Sequence, residues 1–152
     1  MEGNKYSEVH LTEVHLFVIW EKGRYAEQEV ISRVASSFEI IQTFSITWSP
    51  YLVNRNYARF YDAKLPRNSQ KEKYAGTGEF KLIVVRDNKP LYDYRNTNSG
   101  DAFVNTRMFD CKAELRELTG GGHKIHATND IEETKHDIVM LLGLTLADLL
   151  GE

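Results

Sequence analysis

Apolar and β-branched residues concentrate in four runs: Val14 to Trp20 (VHLFVIW), Phe38 to Trp48 (FEIIQTFSITW), Phe80 to Arg86 (FKLIVVR) and the short Lys124 to His126. Such runs suit strands of a buried sheet. Between them the spacing changes to the helical period. Val30, Ile31 and Val34 predict a helix over Tyr25 to Ser36. Ser49-Pro50, a cap residue followed by proline at the first helical position, starts a second helix that carries Leu52, Asn56, Tyr57 and Phe60 and ends near Asp62. Val104, Met108, Cys111, Leu115 and Leu118 predict a third, ending near Thr119. Ile131, Ile138, Leu141 and Leu142 share one face of a fourth, capped by Thr128, Asn129 or Asp130.

The polar stretches punctuate these elements. Lys64 to Gly78 has no period and reads as an exposed connection. Asp87-Asn88-Lys89-Pro90 is turn chemistry, after which Leu91 to Arg95 can return as a hairpin arm, and Asn96 to Gly100 reads as a loop. Gly120, Gly121 and Gly122 end the third helix, and His123-Lys124-Ile125-His126 follows as a strand. The order is β-α-β-β-α-β with additions, which predicts an α/β (α+β) ferredoxin-like fold: an antiparallel sheet with helices packed on one face, plus the arm. Residues 1–152 read as one domain, with 1–12 a flexible N-terminus and 144–152 an apolar tail. Leu144 to Leu150 is too apolar for a free end, so it folds back or makes a subunit contact, and a homo-oligomer is expected.

Charge narrows the classes of function. A net charge of −3 argues against gripping nucleic acid as the main work. Cys111 is alone, which excludes an intramolecular disulfide and a cysteine zinc site. No run is long and apolar enough for a membrane span, and MEGNKYSEVH has no apolar core of a signal peptide, so a cytoplasmic location and no membrane partner are expected.

The chemistry points to His126, at a strand end beside a helix cap, with Asp137 on the helix that follows. Such a histidine can act as nucleophile or base if a carboxylate fixes its other nitrogen. His123 and His126 lie three apart on a strand and so face opposite sides; no metal site is expected from them. Arg95 and Arg107, with the amides of the glycine turn, suit a phosphate-bearing ligand. Lys112 and Arg116 share a helix face but are interleaved with Glu114 and Glu117, and read as solvated. His10-Leu11-Thr12 and His126-Ala127-Thr128 are paired H-x-T strings, which resemble the 2H phosphoesterases and give a weaker alternative.

The string Ile125-His126-Ala127-Thr128-Asn129-Asp130, with the element order and length, resembles nucleoside diphosphate kinases, whose strand-end motif is I-H-G-S-D. LFVIW resembles that family's first strand, AEQEVISRV its first helix, and FEIIQTFSITWSP with NYARFY its second strand and tyrosine-bearing helix. The resemblance implies a phosphohistidine at His126, Thr128 in place of the family's serine, Asp137 in place of the glutamate that orients the histidine, and Tyr57 as the active-site tyrosine. His123 stands where the family has an asparagine, and with Asn129 completes the expected ligand-binding set. Mg²⁺ would accompany a nucleotide or another phosphorylated small molecule. The family's K-P-D is Trp20-Glu21-Lys22 here, and its T-x-R-G nucleotide loop is absent. A non-catalytic binding or accessory module on the same fold is therefore the alternative. TGGGHKIHATN also resembles, loosely, sequences of bacterial surface-polysaccharide loci.

Overall fold

The computed structural model describes residues 12–61 and 69–152. His10, nearly all of the expected flexible N-terminus and the first part of the Lys64–Gly78 connection lie outside the described residues. All four apolar runs join one antiparallel sheet: β1 (Glu13–Ile19), β2 (Glu39–Ile46), β3 (Phe80–Asp87) and β6 (Ile125–Ala127), in the order β2-β3-β1-β6. That is the strand order of the ferredoxin-like plan. β1 and β3 run through the centre, and β6 is an edge, with Val18 opposite His126.

Alternation along the central strands makes two apolar faces. Leu16, Val18, Leu82 and Val84 point to one, and Phe17, Ile19, Ile83 and Val85 to the other. The second face is covered by Val30 and Val34 of α1 (Glu27–Ala35) and by Met108, Cys111 and Leu115 of α4 (Thr106–Leu118). The first is covered by α2 (Val53–Tyr61) and α5 (Ile131–Leu142). The helices therefore occupy both faces rather than one, because a central sheet with two apolar faces must bury both. Leu146, Leu149 and Leu150 of the short α6 (Leu146–Leu150) lie half-buried against this first core.

Four local expectations are corrected. The second helix begins at Val53, three residues after Pro50, because Leu52 N–H first closes a turn onto Ser49 O at 2.8 Å. The connection before β3 holds a short helix, α3 (Gln70–Ala75), capped by the Ser69 hydroxyl, and Ala75 is sealed in the core. The arm β4 (Tyr92–Thr97) takes in Asn96 and Thr97 of the expected loop and pairs with β5 (Gly100–Asn105), which takes in Gly100 and Val104. Both edges of β3 are already occupied by β1 and β2, so β4 must find another partner. The last strand begins at Ile125; His123 adopts φ 57° within the glycine turn and is exposed.

Asn105 ends β5 and caps α4, accepting the Met108 N–H at 3.0 Å, while its amide donates to Asp87 (2.9 Å) and Glu13 (3.2 Å). One side chain thus joins the arm, a helix and the two central strands. Asn105→Ala removes a cap and leaves buried carboxylate oxygens short of a donor. Chemical denaturation should show a loss of about 1–3 kcal/mol.

Burial alone would raise the Glu13 carboxyl, but hydrogen bonds from His15, Asn105 and Tyr92 outweigh it and hold the group below its ordinary value. A depressed carboxyl pKa adds stability above the unfolded value, near 4.5, and that stability is lost as pH falls through the folded value. The melting temperature of the wild type should accordingly fall below that pH more steeply than that of Glu13→Gln.

Candidate active site at the strand-end histidine

β6 is three residues long, and Asp130 caps the helix after it by accepting the Glu133 N–H at 2.8 Å. This tight strand-to-helix turn carries α5 back past the strand end. Asp137, almost two turns into α5, then meets His126: Nε2 lies 2.8 Å from Oδ2. His126 is only 6% exposed and Asp137 is buried. Asp137 uses its other oxygen for His136, whose Nδ1 lies 2.9 Å from Oδ1 and whose side chain is 46% exposed. A carboxylate accepts, so His126 donates through Nε2–H and its Nδ1 carries the lone pair. No hydrogen bond reaches Nδ1 among the described residues, and no buried side-chain nitrogen there lacks a partner, so Nδ1 opens to solvent.

Aromatic rings from α2 wall the imidazole. Phe60 stands edge-on at 4.8 Å between centroids and Tyr61 at 5.5 Å. Tyr61 accepts a hydrogen bond from Trp20 Nε1 at 3.0 Å, and burial pushes its phenol well above the ordinary value, keeping it neutral. The tyrosine against His126 is thus Tyr61, one turn beyond Tyr57. Tyr57 is sealed between Trp20 and Trp48 and donates to Gly76 O at 2.5 Å.

Other expected site residues are placed elsewhere. Thr128 is fully buried and turned to His15, whose Nδ1 lies 2.8 Å from its hydroxyl oxygen; it also accepts Leu16 N–H and the Thr134 hydroxyl, both at 3.1 Å. With His15 Nε2 donating to Glu13 at 2.9 Å, the Thr128 hydroxyl donates to Nδ1. Arg95 forms a two-point bridge to Asp110, both bonds 3.0 Å. Arg107 is held by Asp87 and by Ser37 O, and lies over the Phe38 ring. Both arginines are thereby committed to local partners. Asn129 does remain beside the strand end: its N–H donates to Glu133 at 2.6 Å, and its side-chain oxygen accepts from Lys112 at 3.1 Å.

Lys112 and Arg116 are more buried than a solvated face would leave them. Lys112 is 9% exposed, and burial, then the charge of Arg116, push its amine down to about 8. Arg116 is half-buried, its Nε 3.1 Å from Ile125 O, and burial lowers its guanidinium too. Their shared face was readable from the four-residue spacing; its direction was not. A surface hollow of about 430 Å³ lined by Glu21, Glu27 and Glu79 shares no residue with this site, and its acids ill suit a phosphate. For metals, His126, Glu133 and Asp137 place one donor atom each within 4.8 Å of one another, but an ion there would replace the bond between His126 and Asp137.

No family model matches the sequence, and no curated protein does. Solved structures do. The chain is similar to the Aquifex aeolicus nucleoside diphosphate kinase, with a TM-score of 0.55 and 13% identity over 85% of this chain and 94% of that one. It is also similar to the Encephalitozoon cuniculi nucleoside diphosphate kinase, with a TM-score of 0.50 and 14% identity over 87% and 90%. The fold is that of the nucleoside diphosphate kinases. Trp20, the residue that the sequence resemblance sets at the family's lysine, is wholly buried. No helix among the described residues is long and apolar enough to cross a membrane.

Proposed function

We propose that this protein binds a nucleotide or another phosphorylated small molecule at His126 and passes its terminal phosphoryl group through Nδ1. The observation that carries the reading is the bond from His126 Nε2 to Asp137, with Nδ1 left unbonded and open. It fixes the tautomer that a nitrogen nucleophile needs. The Nδ1 lone pair attacks the terminal phosphorus; an N–P bond forms while the P–O bond to the leaving phosphate breaks, and its electron pair departs on that oxygen. The ring keeps its Nε2 proton toward Asp137, whose charge offsets the positive charge developing on the imidazole. In the return step an acceptor phosphate oxygen attacks the same phosphorus and Nδ1 recovers its pair. Mg²⁺ enters as part of the substrate, carried on the phosphates.

The test is intact mass after incubation with a panel of nucleoside triphosphates and Mg²⁺, where phosphohistidine adds a fixed, acid-labile increment. A second reading, a binding module without transfer, is favoured by the burial of Trp20 and Tyr57, which removes two of the family's expected phosphate contacts. Nucleotide binding without any gain in mass selects it.

A further inference from the structure

Buried cations without acids ask for an explanation, since each costs desolvation that a partner must offset. Among the described residues six arginines are half-buried, and five of them pair with a carboxylate: Arg24, Arg33, Arg86, Arg95 and Arg107. Arg116 does not. Its Nε is tied to Ile125 O, and no hydrogen bond from its two terminal nitrogens is made among the described residues. Because no buried side-chain nitrogen there is unsatisfied, those terminal groups reach solvent. Lys112 lies one turn earlier on α4, more deeply buried, with the neutral Asn129 oxygen as the acceptor for its ammonium. No carboxylate among the described residues comes within salt-bridge distance of either cation. Like charges at this spacing repel, and the charge of Glu133, felt at Lys112 from beyond salt-bridge distance, offsets this less than burial and Arg116 oppose it, so an arriving anion would relieve the pair.

The two side chains also bracket the histidine. Arg116 grips the carbonyl of the residue before His126, and Lys112 grips the side chain three residues after it. The Arg116 charge is felt at the Tyr61 phenol, whose ring stands against His126. We infer that Lys112 and Arg116 form an anion subsite along the outer edge of β6 that takes a phosphate group of the ligand, the guanidinium offering its two terminal nitrogens as a fork and the ammonium a second charge. The subsite deepens the phosphate-ligand reading above, and it supplies from α4 the cations that the family's first-strand lysine would otherwise give.

Calorimetric titration with inorganic pyrophosphate tests it, on wild type, Arg116→Gln, Arg116→Lys, Lys112→Met and, as a remote control, Arg86→Gln. Arg116→Gln should weaken binding at least roughly ten-fold, the loss expected for one charge-assisted phosphate contact, while melting as the wild type does. Arg116→Lys should recover part of the loss, and Arg86→Gln should change nothing. If Lys112→Met fails to fold, the Arg116 pair decides. Wild type that binds no pyrophosphate, or Arg116→Gln that binds within two-fold of it, overturns the inference. The mass assay separates the two ideas: pyrophosphate binding lost in Arg116→Gln with no phosphohistidine in wild type leaves the subsite standing and removes the transfer reading. A phosphohistidine formed at the wild-type rate by Arg116→Gln does the reverse.

Discussion

His126→Ala should take up no phosphate from any nucleoside triphosphate, and Asp137→Asn should form the proposed phosphoenzyme about ten- to a thousand-fold more slowly than wild type. The first loss should be total because the variant lacks Nδ1, the atom proposed to carry the group. The second follows from counting acceptors. Asp137 accepts from two imidazoles, His126 at Oδ2 and His136 at Oδ1. An asparagine has one carbonyl oxygen, so one histidine must face an NH₂ group, which can only donate. If that histidine is His126, its proton moves to Nδ1 and the nucleophilic lone pair is lost; in the other orientation the ring keeps its tautomer but loses the negative charge beneath it. Rapid-quench phosphorylation kinetics with circular dichroism on the same samples reads both effects. Asp137→Asn that stays folded and transfers at the wild-type rate would falsify the orienting role.

Trp20→Ala should destabilise the protein by about 3–5 kcal/mol, the range for removing a fully buried aromatic side chain. Trp20 is wholly buried and touches five other rings: Phe80 at 4.8 Å between centroids, Tyr57 at 4.9 Å, Trp48 and Phe60 at 5.6 Å and Tyr61 at 6.2 Å. Its Nε1–H also holds the Tyr61 phenol beside His126. The alanine therefore leaves a cavity and removes the hydrogen bond that Trp20 donates to Tyr61. Trp20→Lys, the change toward the family's residue, should raise no activity, because it places an ammonium among aromatic rings rather than toward phosphate. Urea unfolding of the two variants checks the prediction: a midpoint unchanged in Trp20→Ala contradicts the packing account.

The fold was legible because its signals are local and redundant. VHLFVIW and FKLIVVR are apolar at consecutive positions, which only a strand buried on both faces requires. The same fact implied helices on both faces. The ferredoxin-like plan obscured it by supplying two helices where the sheet needed more. The Leu91–Arg95 arm was visible as strand-like, but its partner depended on which edges of β3 were already taken, and that is a property of the assembled sheet.

For the site, the contact between His126 and Asp137 follows from chain length: eleven residues across a capped strand-to-helix turn is a short, stiff connection, which leaves the two side chains little freedom to miss. Nothing comparable ties down Tyr57 against Tyr61. Both ride one helix, and which tyrosine faces the histidine is set by how α2 rotates to bury Val53, Tyr57 and Phe60. The charges divide the same way. The chain alone determined that Lys112 and Arg116 lie together and that Arg95 and Arg107 flank the arm. Only the packing of α4 against the outer edge of β6 decided that the first pair has no carboxylate within salt-bridge distance among the described residues, while Asp110 and Asp87 claim the second. Periodicity fixes which side chains share a surface; which surface meets which, and so which cations are left for a ligand, is a long-range outcome that no local spacing encodes.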